Sequence, residues 1–250
     1  MLDQILWPDT ATTTNAHLVL GGCDVLHLVH QYGTPLYVLD HATLEHTAER
    51  YCHALQMYPG TSSVHYAGKA LLNTAVAQLV NALGLGLDCV SLGEVAVARH
   101  AGIDLQHVHL HGNAKSRREL AQALDWGVGR VVVDSLDELA ALDELTRDRA
   151  APQPVLLRLN PGVDVHTHAH IQTGQLDSKF GLPIETGMAA EAVERTLAAP
   201  GLSLLGLHAH LGSQIANTEP LALGIERLLD FASAMREAHG WQMQELSPGG

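Results

Sequence analysis

The stretch SSVHYAGKALLNTAVAQLVNALGLGLDCVSLGEVAVARHAG (62–102) holds two strand-then-helix units in succession. SSVHYAGK (62–69) is strand-like. ALLNTAVAQLVNALG (70–84) has apolar residues at helical spacing and closes on Gly84. GLDCV (86–90) is a second strand and SLGEVAVARHAG (91–102) a second helix, with Ser91 and Glu94 spaced as a capping box. Downstream the rhythm repeats. HVHLHG (107–112) precedes a helix over KSRRELAQALDWG (115–127), with Ser116 and Glu119 as its box. GRVVVD (129–134) precedes a helix from Ser135, boxed by Glu138, to about Asp148. PVLLRLN (154–160) is followed by the insertion PGVDVHTHAHIQTGQLDSKFGLP (161–183) and a helix over 185–199. LSLLGLHAHLG (202–212), a helix over 219–239 and a seventh strand in MQELSPGG (243–250) complete the series.

Upstream, YGTPLYVLD (32–40) reads as a turn and a strand at Leu36–Leu39, and HATLEHTAERYCHALQMY (41–58) as a helix stopped by Pro59-Gly60. Residues 1–34 are mixed sequence. Continuously apolar strands alternating with amphipathic helices demand a parallel sheet covered by helices. Right-handed crossovers leave an open doubly wound sheet or a (β/α)8 barrel. The strand ends favour the barrel: Lys69, Asp88, His111, Asp134, Asn160, His210 and Gly249 are polar or glycine, and a barrel gathers such ends at one mouth. Seven strands from residue 62 do not close an eight-stranded barrel. The expectation is therefore that 36–39 is borrowed, or that the chain is the earlier part of a longer one.

The chain has 250 residues (26.7 kDa) and a net charge of −13. That balance argues against a nucleic-acid binder, which needs clustered Lys and Arg to neutralise phosphates. A 46% apolar content supplies a core and excludes disorder as the main state. No apolar run approaches the roughly 18 residues of a membrane helix. Three scattered cysteines (Cys23, Cys52, Cys89) without CxxC, and an N-terminus without a basic region, make a reduced, cytoplasmic location the expectation. Seventeen histidines are the compositional anomaly, several of them alternating: HVHLH (107–111), HTHAH (166–170) and HAH (208–210).

Lys69 ends an apolar strand. Such a lysine either snorkels from a loop or is a desolvated amine able to form a Schiff base with an aldehyde or ketone. His208 and His210 fall on one face by strand alternation. They read as partly buried polar residues, as an HxH zinc pair, or with one ring as a flat surface against an aromatic cofactor whose phosphate meets Gly212-Ser213. The closing Gly249-Gly250 allows main-chain N–H groups to approach a phosphate. HVHLH and HTHAH read as structural or pocket-lining histidines, and no metal ligand set is assigned.

Taken in order, YGTPLYVLD, YAGKALLNTAVAQL, GLDCVSLGEVAVARHAGI, LHGNAKSRREL, VVVDSLDEL, RLNPGVDVHTH, IQTGQLDSKFGL, GLHAHLGSQI and SPGG resemble the barrel half of diaminopimelate decarboxylases. These are fold-type III pyridoxal-phosphate enzymes, related to ornithine and arginine decarboxylases and more distantly to alanine racemase. The resemblance runs over about residues 30–250, and NPGVDVHTH with TGQLDSKFG sets the diaminopimelate branch apart. It implies an alanine racemase-type (β/α)8 barrel over 35–250, lacking its last strand and the C-terminal β-domain, with 1–34 contributing to that second domain.

The resemblance further implies pyridoxal 5′-phosphate as cofactor, attached to Lys69 and stacked under His210. Ser213, Gly249 and Gly250 would hold its phosphate, and Asp88 and Arg158 would line its pocket. The implied reaction is decarboxylation of meso-2,6-diaminopimelate to L-lysine by a homodimer. Where the family carries a hydrophobic residue beside the lysine this chain has Gly68, which is expected to loosen local packing. The pyridine-nitrogen acid, a Cys-Glu pair acting across the dimer and the substrate-binding Arg and Tyr residues correspond to positions beyond 250. Two alternatives stand beside this reading: a stand-alone barrel that binds the cofactor without decarboxylating, and a zinc-dependent barrel hydrolase using the HxH pair.

Overall fold

The computed structural model describes residues 6–163, 180–212 and 217–249. The chain divides into two units. In the first, Met1–His65 with Val80–Leu85, turn chemistry sets the start. β1 (Thr12–Thr14) pairs antiparallel with β2 (His17–Leu20) around Asn15-Ala16, both at positive φ (52° and 64°). β2 returns on β3 (Cys23–Asp24) around Gly21-Gly22 (55° and 78°). Two successive positive φ angles make a tight turn whose twist matches that of the strands. The 1–34 segment, read as mixed sequence, thus contains a three-stranded meander, and Gly21-Gly22 between two apolar runs is its legible signal. Asp24 caps α1 (Val25–Tyr32) by accepting from the Leu26 N–H. Asp40 caps α2 (His41–Leu55): one carboxylate oxygen accepts from the Thr43 N–H (2.8 Å) and hydroxyl (2.6 Å), the other from the Thr10 hydroxyl (2.6 Å).

The strand expected at Leu36–Leu39 does not form. These residues are between the helices α1 and α2 with no strand assignment, and Tyr37 is 98% exposed. β-propensity measures fit to a paired, half-buried surface, and here the apolar run lacks that burial.

The strands and helices that follow are β4 (His65–Ala67), α3 (Thr74–Ala82), β5 (Gly86–Cys89), α4 (Leu92–His100), β6 (Val108–Leu110), α5 (Arg117–Trp126), β7 (Arg130–Val133) and α6 (Leu136–Thr146). Then come β8 (Gln153–Asn160), β9 (Leu182–Pro183), α7 (Met188–Ala198), β10 (Leu202–His208), α8 (Glu219–His239) and β11 (Glu245–Ser247). The sheet order β4-β5-β6-β7-β8-β10-β11 follows the chain, and β9 adds to the end of β8. Every described pair from β5 to β11 is parallel. The result is a curled sheet with helices outside, a barrel wall whose edges among the described residues are β4 and β11. Among those residues no helix is long and apolar enough to cross a membrane.

Register divides the side chains between two faces. Leu87, Val108, Val131, Val155, Leu157 and Leu207 stand on the convex face and are at most 1% exposed. They pack under Val95, Leu120, Ala123, Leu139, Leu142 and Val193 of the helices, each of them also buried. Full burial of such a side chain contributes about 1.5–3 kcal/mol. The helices are pinned at their ends. Ser116 and Glu119 form the full capping box, and Gly127, at φ 77°, ends α5 by donating to Ala123 and Leu124. At Ser91 and Ser135 the hydroxyl caps as expected, but the glutamate does not return to the N-cap N–H. Glu94 instead accepts from Val90 N–H (2.6 Å), and Glu138 from Asp134 N–H (3.4 Å).

Two ion pairs brace the sheet. Arg130 at the start of β7 reaches Glu245 at the start of β11, with its Nε 3.0 Å from Oε2, across the side-chain-free Gly206 of β10. Lys115, 3% exposed, donates to Gly112 O and Val132 O (2.9 Å) and forms an ion pair with Glu138 Oε1 (2.9 Å). Losing one member of such a buried pair costs about 3–5 kcal/mol. Lys115→Met is therefore expected to lower the unfolding free energy by about that amount, and adding Glu138→Leu to recover most of it, as read by urea denaturation.

Burial, offset in part by Lys115, pushes the Glu138 carboxyl from its ordinary 4.5 to about 7. Between those values the folded state keeps a proton the unfolded state has lost, so the contribution of Glu138 to stability falls as pH rises from 4.5 through 7. Glu138→Gln is expected to flatten that part of the denaturation-midpoint profile.

Candidate active site

Parallel register collects the polar strand ends on the concave rim. Asp88 is the register partner of His109, and His208 that of both Arg158 and Ser247, so these side chains share a face. His109 Nδ1 and His111 Nε2 lie 3.3 Å and 3.2 Å from the same oxygen of Asp88. Burial raises the Asp88 pKa, yet the two imidazoles outweigh it and hold the carboxylate well below its usual range. His111 meets His208 edge to face, with ring centroids 4.6 Å apart. His208 is 3% exposed, and its Nδ1 has no hydrogen-bond partner. Burial, with His111 and Arg158 adding positive charge, keeps it far below 6.5 and therefore neutral.

His210 is half-buried, two residues on, and its Nε2 is 3.5 Å from Lys69 Nζ although 141 residues separate them. Burial followed by Lys69 and Arg158 lowers its pKa as well. The HAH pair thus separates into two settings, one ring against His111 and the other beside the lysine. Gly249, at φ 76°, runs so close to His210 that a Cβ there would be 2.4 Å from Ala209 O and 2.9 Å from His210 Cα. Only glycine permits that approach. Arg158 reaches Asp134 with its Nε (3.7 Å) and lies under the Phe180 ring, 4.5 Å from its centroid.

Of the residues expected in the site, Lys69, His210 and Gly249 come together, and Asp88 and Arg158 lie on the same rim. Ser213, Gly250 and HTHAH (166–170) are outside the described residues. Gly68 does not loosen the packing as expected. It is buried, donates to Asp88 O (2.8 Å), and has the space of a Cβ closed by that oxygen at 3.0 Å, Leu72 at 3.3 Å and Glu94 at 3.4 Å. The larger neighbours occupy what a side chain would fill. Sequence reasoning placed HVHLH no nearer than the pocket lining. Its signal was the alternation that puts His109 and His111 on the face of Asp88 one strand away.

A lysine amine beside a half-buried imidazole, with a glycine turn bare of side chains next to them, fits a flat aldehyde cofactor with an anionic tail. Residues 42–250 match the family model described as "Pyridoxal-dependent decarboxylase, pyridoxal binding domain". The chain belongs to this family. It is 41% identical to the diaminopimelate decarboxylase of Halalkalibacterium halodurans over 94% of this chain and 53% of that protein. To the Bacillus subtilis diaminopimelate decarboxylase it is 40% identical, over 94% of this chain and 54% of that one. The crystal structure of the M. jannaschii diaminopimelate decarboxylase superposes with a TM-score of 0.88 at 29% identity, covering 95% of this chain and 56% of that one. The Helicobacter pylori diaminopimelate decarboxylase, solved with L-lysine, gives 0.78 at 28% identity over 91% and 56%. The chain spans about half the length of the curated relatives it matches. Membership in a pyridoxal-dependent family names the cofactor as pyridoxal phosphate.

A His208 that stays neutral in the fold must be charged below about 6.5 when unfolded, so it withdraws stability as pH falls through that value. His208→Gln is expected to reduce the loss of thermal midpoint between pH 7 and 5. A nitrogen-15 histidine spectrum should show the His208 ring unprotonated across that range.

Proposed function

We propose that this chain is the cofactor-binding barrel portion of an enzyme that decarboxylates meso-2,6-diaminopimelate to L-lysine. The observation that carries the reading is the convergence of Lys69 on His210 beside Gly249. The roughly 40% identity to diaminopimelate decarboxylases supports the substrate. Bound pyridoxal phosphate supplies an electron sink for the negative charge left on carbon when carbon dioxide departs.

The protein's own residues do the positioning. Lys69 Nζ would hold the cofactor aldehyde, and the half-buried His210 ring would offer a flat face beside the cofactor ring. Gly249 would let main-chain N–H groups approach the phosphate, and the family resemblance adds Gly250 and Ser213 as further donors. Asp88 remains anionic between His109 and His111, and Arg158 contributes a fixed positive charge, so the pocket carries both signs before any ligand enters. The same reading includes a cytoplasmic homodimer, supported by the resemblance to biosynthetic decarboxylases and by a sequence free of long apolar runs.

The protein carrying this barrel together with the rest of its chain should bind pyridoxal phosphate with a visible absorption band and release carbon dioxide from meso-diaminopimelate. Lys69→Ala is expected to lose the band on dialysis and to reduce turnover at least about a thousandfold. A band that survives dialysis in this variant rules out Lys69 as the attachment point. Cofactor binding without carbon dioxide release would favour a carrier barrel over the decarboxylase.

A further inference from the structure

Arg158 is held more completely than a pocket-lining arginine needs to be. Its side chain is 11% exposed, its guanidinium carbon lies 4.5 Å from the centroid of the Phe180 ring, and its Nε is 3.7 Å from Asp134. Asp134 is itself buried, and the same oxygen accepts the Gly181 N–H at 3.1 Å. Gly181 sits at φ 77°, where a Cβ would lie 3.1–3.3 Å from the backbone of residues 158–160. Phe180-Gly181 is thus stitched to the ends of two strands, β7 through Asp134 and β8 through close backbone contact.

We propose that Asp134 and Phe180 are positioning residues for Arg158, which fix its guanidinium as the cationic edge of the site beside His210. The proposal rests on the function argued above and adds to it the device that aims the charge. An arginine side chain has several rotatable bonds, so a floating guanidinium presents its donors in many directions. Phe180 removes the out-of-plane freedom by covering one face, and a covered face also loses water that would compete for the charge. Asp134 then draws the Nε edge of the guanidinium toward itself by charge, with its Oδ1 3.7 Å away. In this proposal the other guanidinium N–H groups serve an anionic oxygen brought in by the cofactor or the substrate. A lysine offers no planar face for Phe180. Burial raises the pKa of Asp134 and Arg158 opposes it, so each charge makes the other tolerable on a buried rim.

The charged and titratable groups bearing on His210 are Lys69, Arg158, His111 and Asp88. An Arg158 that swings away removes one positive charge from this set, and the bound cofactor senses it. The test uses the full-length holoenzyme and reads two quantities. One is the dissociation constant for pyridoxal phosphate. The other is the pH at which the visible band of the bound cofactor changes form. Phe180→Leu and Asp134→Asn are each expected to weaken cofactor binding about tenfold, the scale of one desolvated cation–π contact, and to shift that pH. Phe180→Tyr keeps the ring face and is expected to retain both wild-type values, which separates positioning from mere packing. Arg158→Lys should behave like Phe180→Leu.

If Phe180→Leu does not fold, Asp134→Asn, which conserves volume, carries the same test. Wild-type affinity and an unmoved spectral pH in a folded Phe180→Leu or Asp134→Asn overturn the proposal, even if the thermal midpoint drops. Failure of the underlying function reads differently: Lys69→Ala would then retain the band, whatever the Phe180 variants do.

Discussion

In an all-parallel sheet every strand delivers its C-terminal residue to the same rim, and the site of this protein depends on that constraint. The convex face needs only apolar side chains, because the helices cover it. The concave rim receives whatever polar residue ends each strand. Strands β5, β6, β8 and β10 therefore place Asp88, His109, Arg158 and His208 on one face, although these residues span 120 positions of sequence. Register is the cause: a shift of one residue in any strand would turn its polar end toward the helices.

Polar groups gathered in a poorly solvated place must be paired or neutral. Each charged group here meets that demand in its own way. Asp88 is matched by two imidazoles, Arg158 by Asp134 and the face of Phe180, and Lys115 by Glu138 and two carbonyl oxygens. His208 satisfies it by giving up its charge. Lys69, which is exposed, and half-buried His210 meet next to charges that are already paired. Bracing at the other end of the strands, through Arg130 and Glu245, gives the rim a stiff base.

Much of this was legible in the order of residues. All the helices from residue 70 onward and all seven strands from residue 62 occur where apolar spacing put them, and the helix over 219–239 matches to the residue. The signals there are local, since periodicity, caps and terminal glycines operate within one or two turns of chain. Leu36–Leu39 failed because a strand is defined by its partner, and propensity carries no information about partners. The meander before it was missed for the opposite reason. Its strands are short and weakly apolar, while the turns that define them are only two residues long.

The sequence by itself determined the fold class and singled out Lys69 and the later HAHLGS as candidates, because each carries its chemistry in residue type and spacing. Only the tertiary structure showed that the two rings stand in different settings, His208 against His111 and His210 beside Lys69, because alternation alone makes them equivalent. It also decided that Gly68 sits in a closed space, and that Phe180 and Asp134 hold Arg158. Those facts depend on side chains from different strands meeting across the rim. Register and the curl of the sheet set such meetings, and neither is written in any single stretch of the chain.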